Sequence, residues 1–293
     1  MKPRFPLYIP SKGRSEYMIT SKALTAMGVD HNIVVEPQEV EKYRQAVAKW
    51  RLRTTVIELD ISYKKKYDLC DSYGLTKSTG SGPARNFIWD HSIAQGHKWH
   101  WIMDDNIRWF YRMHKNLRIR MNSPLFWRLM EDFVLRYKNV AMAGPNYLMF
   151  AVGGCHSDAK PFILNTRIYS CNLIRNDVPF RWRGRYNEDT IMSLDMLKAG
   201  WCTIQFYAFL QEKLRTQLIK GGNTDELYQH GTMEKSKMLV REHPDVAQVA
   251  FKFGRWHHVV DYNPFKNNKL IRRDDLTEKD LDSNYGLKLV RSI

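Results

Sequence analysis

The chain has 293 residues, 43% of them hydrophobic, which is enough apolar material for one large domain with a full core. Lysine and arginine total 46 against 31 acidic residues, so the formal net charge is +15. A balance this basic favours a polyanionic partner such as nucleic acid, although a solvated basic surface is the alternative. No run approaches the roughly 18 apolar residues of a membrane-spanning helix, so we expect no membrane partner. The N-terminus has no apolar signal-peptide core and the cysteines have no metal-binding spacing, so we expect a cytoplasmic protein with reduced thiols.

The N-terminal part of the chain predicts alternating strands and helices. Strands are expected at Phe5–Ile9, Asn32–Val35 and Thr54–Leu59, separated by helices at Ser15–Met27 and Glu39–Trp50. This β-α-β-α-β order predicts a parallel sheet covered by helices.

Loops after the first two strands carry candidate ligand-binding residues. The first loop is basic and contains a glycine, which suits a phosphate or nucleoside cradle, and the second begins with a carboxylate that could accept hydrogen bonds from a base. These candidates are Pro10, Ser11, Lys12, Arg14 and Glu36. Ordinary loops of an α/β protein also have this composition. Further on, Ser62–Ser81 predicts a mobile loop near the site, and its three consecutive lysines are best explained as a solvated charge run.

The segment from Gly80 to Ile107 has the most informative order of features. A Gly-rich loop leads into a helix that opens at Pro83 and stops at Gly96, and the apolar run Trp99–Met103 predicts a buried strand. That strand ends in Asp104-Asp105-Asn106. Acidic residues at the C-terminal edge of a central strand lie where α/β sheets bind ligands, and hard oxygen ligands suit Mg²⁺ or Mn²⁺. Taken alone, the triplet is also typical of a surface turn.

The next segment predicts a nucleic-acid-binding helix. Over Arg108–Arg120, helical spacing places Arg108, Arg112 and Lys115 on one face, with aromatic residues between the charges. Base stacking combined with phosphate contacts is typical of proteins that bind single strands or flipped bases, while core packing is the alternative for the aromatics. Beyond it we expect a helix at Pro124–Tyr137 and a strand at Val140–Ala143. A long acceptor-facing loop at 144–161 and a strand or hairpin at 162–174 complete this region.

A second acidic pair follows a cluster of cations. Glu188 and Asp189 stand at the start of a helix that stops at Gly200. Carboxylates at a helix start are most often caps, but the position also keeps a carboxylate ionised, as a general base requires. The preceding cluster adds candidates for DNA contacts: Arg181, Trp182 and Arg183.

The strings IPSKGR, GPARN, WIMDDN, YNED with its KAG helix, and GRWHHVVDY resemble GT-A glycosyltransferases, and more narrowly the TET-associated glycosyltransferase family of tailed phages. Together they span Ile9 to Tyr262. The resemblance implies a GT-A fold: Rossmann-like α/β, with a mostly parallel central sheet flanked by helices. We assign it to residues 1–250, with 251–293 as a C-terminal extension packing on the same domain. For a phage protein, the expected location is the host cytoplasm.

The resemblance also implies roles for particular residues. Asp189 matches the catalytic base, with Glu188 beside it. The nucleotide-sugar contacts would come from the first two loops together with Arg85, Asn86, Asp104 and Asp105. Mn²⁺ or Mg²⁺ would be held by Asp104, Asp105 and Asn106, although the family pattern is DxD and the third position here is Asn. A downstream histidine would complete the metal site, and the candidates are His230, His257 and His258, with His258 and His230 preferred.

The expected reaction is inverting transfer of a sugar from a nucleoside diphosphate sugar, UDP-sugar above all. The expected acceptor is the hydroxymethyl group of a modified pyrimidine, such as 5-hydroxymethylcytosine, flipped out of double-stranded DNA. Three alternatives stay open at this point: a saccharide or protein acceptor, a non-catalytic nucleic-acid-binding protein, and a nucleotidyltransferase.

Overall fold

The computed structural model describes residues 1–153, 160–214, 233–252 and 254–277. The strands are β1 Leu7–Pro10, β2 His31–Val35, β3 Thr54–Glu58, β4 Trp99–Met103, β5 Ile107–His114, β6 Leu117–Arg120, β7 Val140–Tyr147, β8 Phe162–Leu164, β9 Cys171–Arg175, β10 Cys202–Lys213, β11 Ala247–Lys252 and β12 Arg255–Val260. The helices are α1 Ile19–Ala26, α2 Val40–Trp50, α3 Ser62–Lys66, α4 Gly82–Ala94, α5 Leu125–Val134, α6 Glu188–Lys198 and α7 Met233–Glu242.

One ten-stranded sheet organises the described part of the chain. Its order is β3-β2-β1-β4-β9-β7-β10-β5-β6, with β8 paired to β10. The pairings make β5, β8 and β9 run opposite to the other seven strands. The expected α/β fold, with a mostly parallel central sheet flanked by helices, is confirmed.

Strand β4 shows why helices must cover both faces of this sheet. All five of its residues are buried. Trp101 belongs to the core on one face, where its ring meets that of Trp127 from α5 edge-on at 4.9 Å. Its neighbour Ile102 belongs to the core on the other face, as the two-residue period of a strand requires. A strand buried on both faces occupies the centre of an α/β sheet, and its end is therefore a protected place for a binding site.

The helix expected over Arg108–Arg120 is wrong, because this segment forms the β5–β6 hairpin. Lys115 and Asn116 make the turn with φ angles of 47° and 59°. Two positive φ angles in a two-residue loop match the twist of a hairpin, and Asn tolerates them well. Lys115 therefore lies in the turn, and the helical face that would have joined it to Arg108 and Arg112 does not exist.

Two other expected loops contain regular structure. Strand β7 continues to Tyr147, beyond the predicted end at Ala143. Gly144 is a strand residue because a Cβ atom there would lie 2.1 Å from the Cys171 carbonyl oxygen, so the glycine permits close approach to β9. The lysine-rich segment contains α3, where Lys64 forms a 2.7 Å ion pair with Glu36.

Described residues near the C-terminus contact the rest of the chain through side-chain amides that donate to backbone carbonyls. The Asn165 side-chain amide donates to the Phe265 carbonyl oxygen at 2.8 Å, and that of Asn268 donates to the Leu197 carbonyl oxygen at 2.8 Å. The boundary expected at residue 250 lies inside β11, which pairs with β12. Within the described residues, no helix is both long and apolar enough to cross a membrane.

Candidate functional site

A cavity of about 1230 Å³ lies at the edge of the sheet where β1, β2, β4, β7 and β10 have their carboxyl ends. Ligands bind at this edge in α/β sheets because loops from several strands converge there. Many residues predicted from the sequence line it: Pro10, Ser11, Lys12, Arg14, Glu36, Asp104, Asp105, Asn106, Glu188, Asp189 and His258. The structure thus brings the loops after β1 and β2, the acidic triplet and the acidic pair into one site.

Arg85 connects the two acidic groups from beneath the cavity. Its side chain is 1% exposed. One guanidinium nitrogen donates to Asp104 Oδ1 at 2.8 Å, while another lies 3.3 Å from Asp189 Oδ1. The Arg85 Nε atom donates to Ser81 Oγ at 3.1 Å and lies 3.9 Å from Glu188 Oε1. Arg85 is not among the cavity-lining residues, and its expected contact with a nucleotide sugar stays a prediction. It is a positioning residue for the acids.

Asn86, the next residue on α4, has a structural role as well. Its side-chain nitrogen donates to the Trp182 carbonyl oxygen at 2.9 Å, and its side-chain oxygen accepts the Trp182 backbone N–H at 2.8 Å. These two bonds tie Trp182 to the start of α4. The expected contact of Asn86 with a nucleotide sugar stays a prediction.

Most side chains of the predicted DNA-binding cluster after β9 contact other residues of the protein. Trp182 is 1% exposed, with the Arg85 guanidinium 4.7 Å from its ring centroid, so it packs in the core, and its expected DNA contact stays a prediction. Arg183 forms ion pairs with Asp195 of α6 and Glu242 of α7, which explains its position without DNA. Arg181 is the more accessible member, with a 3.1 Å ion pair to Asp90.

The carboxylate of Asp104 is held between two cations. Arg85 contacts Oδ1, and the Lys213 ammonium donates to Oδ2 at 2.5 Å. Burial acts to raise the pKa of Asp104, but Lys213 and Arg85 outweigh burial and hold that pKa at about 2. Asp104 is therefore ionised at any physiological pH.

Asp105 and Asn106 hold neighbouring loops in place. The Asp105 carboxylate accepts from Arg14 Nη1 at 2.5 Å and from Ser11 Oγ at 2.6 Å, which fixes the loop after β1. Burial raises the pKa of Asp105, although Arg14 opposes the shift. Asn106 is almost fully buried and donates to the Leu214 carbonyl oxygen at 3.0 Å.

Asp189 stands in the first turn of α6 without capping it. Asn187, with a φ of 58°, precedes the helix and makes no side-chain cap bond. The Asp189 carboxylate accepts from the Ser170 backbone N–H and from the Asn172 amide, both at 3.3 Å. Burial raises the pKa of Asp189 to about 6, against the opposing effect of Arg85. A carboxylate with a pKa near neutrality suits a general base.

The structure adds site residues that the sequence did not indicate, namely Lys213, Tyr147, Tyr169, Ser170, Arg167 and Lys235. The Tyr147 and Tyr169 rings are 4.3 Å apart, and the Tyr147 hydroxyl bonds to Ser170 Oγ at 2.6 Å. Tyr147 was missed because the sequence predicted that strand β7 ends at Ala143. The sequence around Lys213 does not mark it as a site residue, because Lys213 comes close to Asp104 through the pairing of β10 with β5.

The described residues do not fit the divalent cation that the acidic triplet indicated. Across the described ranges, no group of three or more His, Cys, Asp or Glu side chains is arranged to hold a metal ion. Asp104 and Asp105 are instead neutralised by basic side chains. His258 lines the cavity, where burial lowers its pKa to about 3 and keeps it neutral. His230 lies outside the described residues.

The comparison with known families agrees with this geometry. The family model described as TET-Associated Glycosyltransferase matches residues 5–224, three quarters of the chain. The matched range includes both acidic groups and the arginine that joins them. No curated protein matches the chain. The protein therefore belongs to the TET-Associated Glycosyltransferase family.

Proposed function

We propose that this glycosyltransferase moves a sugar from a UDP-sugar to the hydroxymethyl group of a modified pyrimidine in double-stranded DNA, with inversion at the anomeric carbon. The observation that carries the proposal is the position of Asp189. It faces the same cavity as Asp104, is joined to it through Arg85, and has a pKa raised to about 6. One face of the site can thus hold a donor while the other accepts a proton.

The charges of the cavity support an anionic donor. Among the described lining residues, nine basic side chains stand against five acidic ones, and the basic set is Lys12, Arg14, Lys64, Lys65, Lys77, Arg167, Lys213, Lys235 and Arg255. Near the end of β2, Lys12 and Lys64 lie 3.5 Å and 2.7 Å from the same Glu36 oxygen. A cleft with this excess of positive charge attracts a nucleoside diphosphate.

Asp189 would act in one displacement step. Its carboxylate takes the proton of the acceptor hydroxyl while that oxygen forms a bond to the anomeric carbon. The bond from the anomeric carbon to the diphosphate oxygen breaks, and the diphosphate leaves with the electron pair. Because attack and departure occur on opposite sides of the carbon, the product has inverted configuration.

An exposed surface adjoins the cavity-lining Tyr147, whose ring lies 5.6 Å from that of Phe150, and this surface supports a nucleic-acid acceptor. We call it the hairpin surface, and it combines strand β6 with residues 148–153 after β7. Its exposed apolar side chains are Leu117, Ile119, Met149, Phe150 and Val152. Arg118 donates to the Ala151 carbonyl oxygen and joins the two parts. Basic side chains around exposed apolar ones are typical of proteins that insert a wedge between bases. A base must leave the duplex before such chemistry.

The most direct test is mass spectrometry of nucleosides after incubation of the protein with DNA and a panel of UDP-sugars. We expect a glycosylated nucleoside with 5-hydroxymethylcytosine DNA and none with unmodified DNA. Release of uridine diphosphate, without pyrophosphate, would separate glycosyl transfer from nucleotidyl transfer. Transfer to a saccharide or protein in preference to this DNA would contradict the proposed acceptor.

The pH dependence of sugar transfer should follow the ionisation of the Asp189 carboxyl group. A general base must be deprotonated, and burial raises the pKa of Asp189 to about 6. We therefore expect kcat/KM to fall about tenfold per pH unit below roughly pH 6. An unperturbed aspartate, with a pKa of about 3.9, would keep activity to roughly pH 4–5. Melting temperatures at each pH would separate titration from unfolding, and a flat profile down to about pH 5 would exclude this assignment.

Substitution of Phe150 tests whether the hairpin surface inserts a wedge into duplex DNA. Loss of a stacking aromatic costs about 1–3 kcal/mol per base, so we expect Phe150→Ala to lower transfer to duplex DNA by at least about fivefold. Transfer to single-stranded DNA should fall less, because its bases are already accessible. Trp50→Ala is the matched control, since Trp50 is 45% exposed against 50% for Phe150 but lies on α2, outside this surface. Equal effects of Phe150→Ala on the two substrates would contradict a wedge role.

A further inference from the structure

The residue at the centre of this inference is Lys213, the last residue of β10. Its ammonium donates to Asp104 Oδ2 at 2.5 Å and to Ser170 Oγ at 2.9 Å, and its side chain is 18% exposed at the cavity wall. The pairing of β10 with β5 shifts register between Glu212 and Lys213. Such irregularities re-aim side chains next to active sites. Strand β10 thus places a partly buried cation at the end of β4.

Both oxygens of Asp104 are consequently occupied by cations. Arg85 takes Oδ1 and Lys213 takes Oδ2, while Arg14 holds the adjacent Asp105. A divalent cation bound to Asp104 would stand next to two fixed positive charges, and repulsion between like charges opposes that arrangement. Asp104 and Asp105 therefore belong to a salt-bridge network, and this network does not resemble a metal site.

The Lys213 ammonium still has capacity for a ligand. It carries three N–H donors, and Asp104 and Ser170 accept two of them within the described residues. The third can donate into the cavity. The 2.5 Å contact with the Asp104 carboxylate favours the charged ammonium. This ammonium can stabilise an anion without giving up a proton.

We propose that Lys213 supplies the positive charge that stabilises the departing diphosphate, so that transfer needs no divalent cation. This inference rests on the proposed function. As the bond from the anomeric carbon breaks, the electron pair moves to a diphosphate oxygen, which accepts a hydrogen bond from Lys213. A preorganised donor aimed at developing negative charge acts on the transition state more than on the ground state.

The test compares the full-length protein with two variants, in excess EDTA and with added Mn²⁺. Lys213→Met removes the charge and keeps the length of the side chain, whereas Lys213→Arg keeps the charge. We expect wild-type transfer to be the same in both buffers. Lys213→Met should lose roughly 10²–10³ in turnover, the effect of removing one such donor, and Lys213→Arg should lose much less. Mn²⁺ should restore part of the Lys213→Met activity, because Asp104 Oδ2 is then open to a cation. Lys198→Met is the control, since Lys198 pairs with Asp245 and does not line the cavity.

Calorimetry with inorganic pyrophosphate and with UDP gives a readout that needs no acceptor. In EDTA, Lys213→Met should weaken binding of both at least about tenfold, since hydrogen bonds to charged groups are lost. Unchanged binding would overturn the inference, as would wild-type activity that stops in EDTA and returns with Mn²⁺. If binding falls as expected but no sugar reaches DNA, the acceptor proposal fails and the role of Lys213 stands. Should Lys213→Met not fold, the paired variant Asp104→Asn/Lys213→Met removes both charges and is measured in the same way.

Discussion

Asp189→Asn is expected to lower turnover by roughly 10²–10⁴ while the fold and UDP binding persist. The amide keeps the shape of the side chain, and its single oxygen can accept the bond from the Ser170 backbone N–H, but it cannot take a proton. Burial disfavours the charged form of Asp189, and Arg85 keeps Asp104 and Glu188 as partners, so a neutral amide at this position should change stability little. A small change in melting temperature combined with a large loss of turnover would therefore identify Asp189 as the general base.

Glu188→Gln is the matched control for this prediction. Glu188 precedes Asp189 on α6, but its carboxylate accepts from Ser81 Oγ at 3.0 Å. We expect Glu188→Gln to lose much less turnover than Asp189→Asn, because a glutamine oxygen still accepts the Ser81 bond. Near-normal transfer by Asp189→Asn would remove Asp189 from the mechanism. It would also remove the main reason for expecting inversion.

Arg85→Met should produce the largest loss of stability. The substitution leaves Asp104, Glu188 and Asp189 close together without the buried cation that contacts all three. Removal of one partner from a buried ion pair costs about 3–5 kcal/mol, and we expect a decrease of that size in the free energy of unfolding. Urea denaturation would measure it. Arg85 also lowers the pKa of Asp189, so any activity left in the variant should need a higher pH.

Arg128→Ala is the comparison for this loss. Arg128 and Asp132 form an i,i+4 ion pair at 3.0 Å on α5, with both side chains partly exposed. Pairs of this kind contribute about 0.3–0.5 kcal/mol, so Arg128→Ala should hardly change the unfolding free energy. A cost of Arg85→Met no larger than that of Arg128→Ala would show that the acids do not depend on Arg85.

The sequence was most informative where chemistry and local pattern coincide. The Gly-rich opening of α4, the buried strand β4 and the acids at the start of α6 each have a local periodicity or composition that identifies them. Their assembly around one cavity follows from the order of parallel strands. Arg85 was found from its motif, but the resemblance did not reveal that its guanidinium faces the protein interior.

Longer-range features could not be predicted in this way. The β5–β6 hairpin was missed because charges at helical spacing also occur by chance in a strand, and the turn contains Lys-Asn without a glycine. Trp182 next to three arginines suggests base stacking, yet Asn86 and Arg85, nearly a hundred residues earlier in the chain, place it in the core. Lys213 reaches Asp104 only through antiparallel pairing of β10 with β5. No local rule encodes that register.

The network around Arg85 also has a consequence for how the chain folds. Lys213 and Asp104 are 109 residues apart in the sequence, and Ser81 and Glu188 are 107 apart. Contacts between distant segments form late, because the loop-closure entropy must be overcome before they stabilise anything. A nascent chain that has completed only β1 to β4 lacks both Asp189 and Lys213. We therefore expect activity to appear in one step, when β10 joins the sheet. Fragments that end before β10 should be inactive however well they fold.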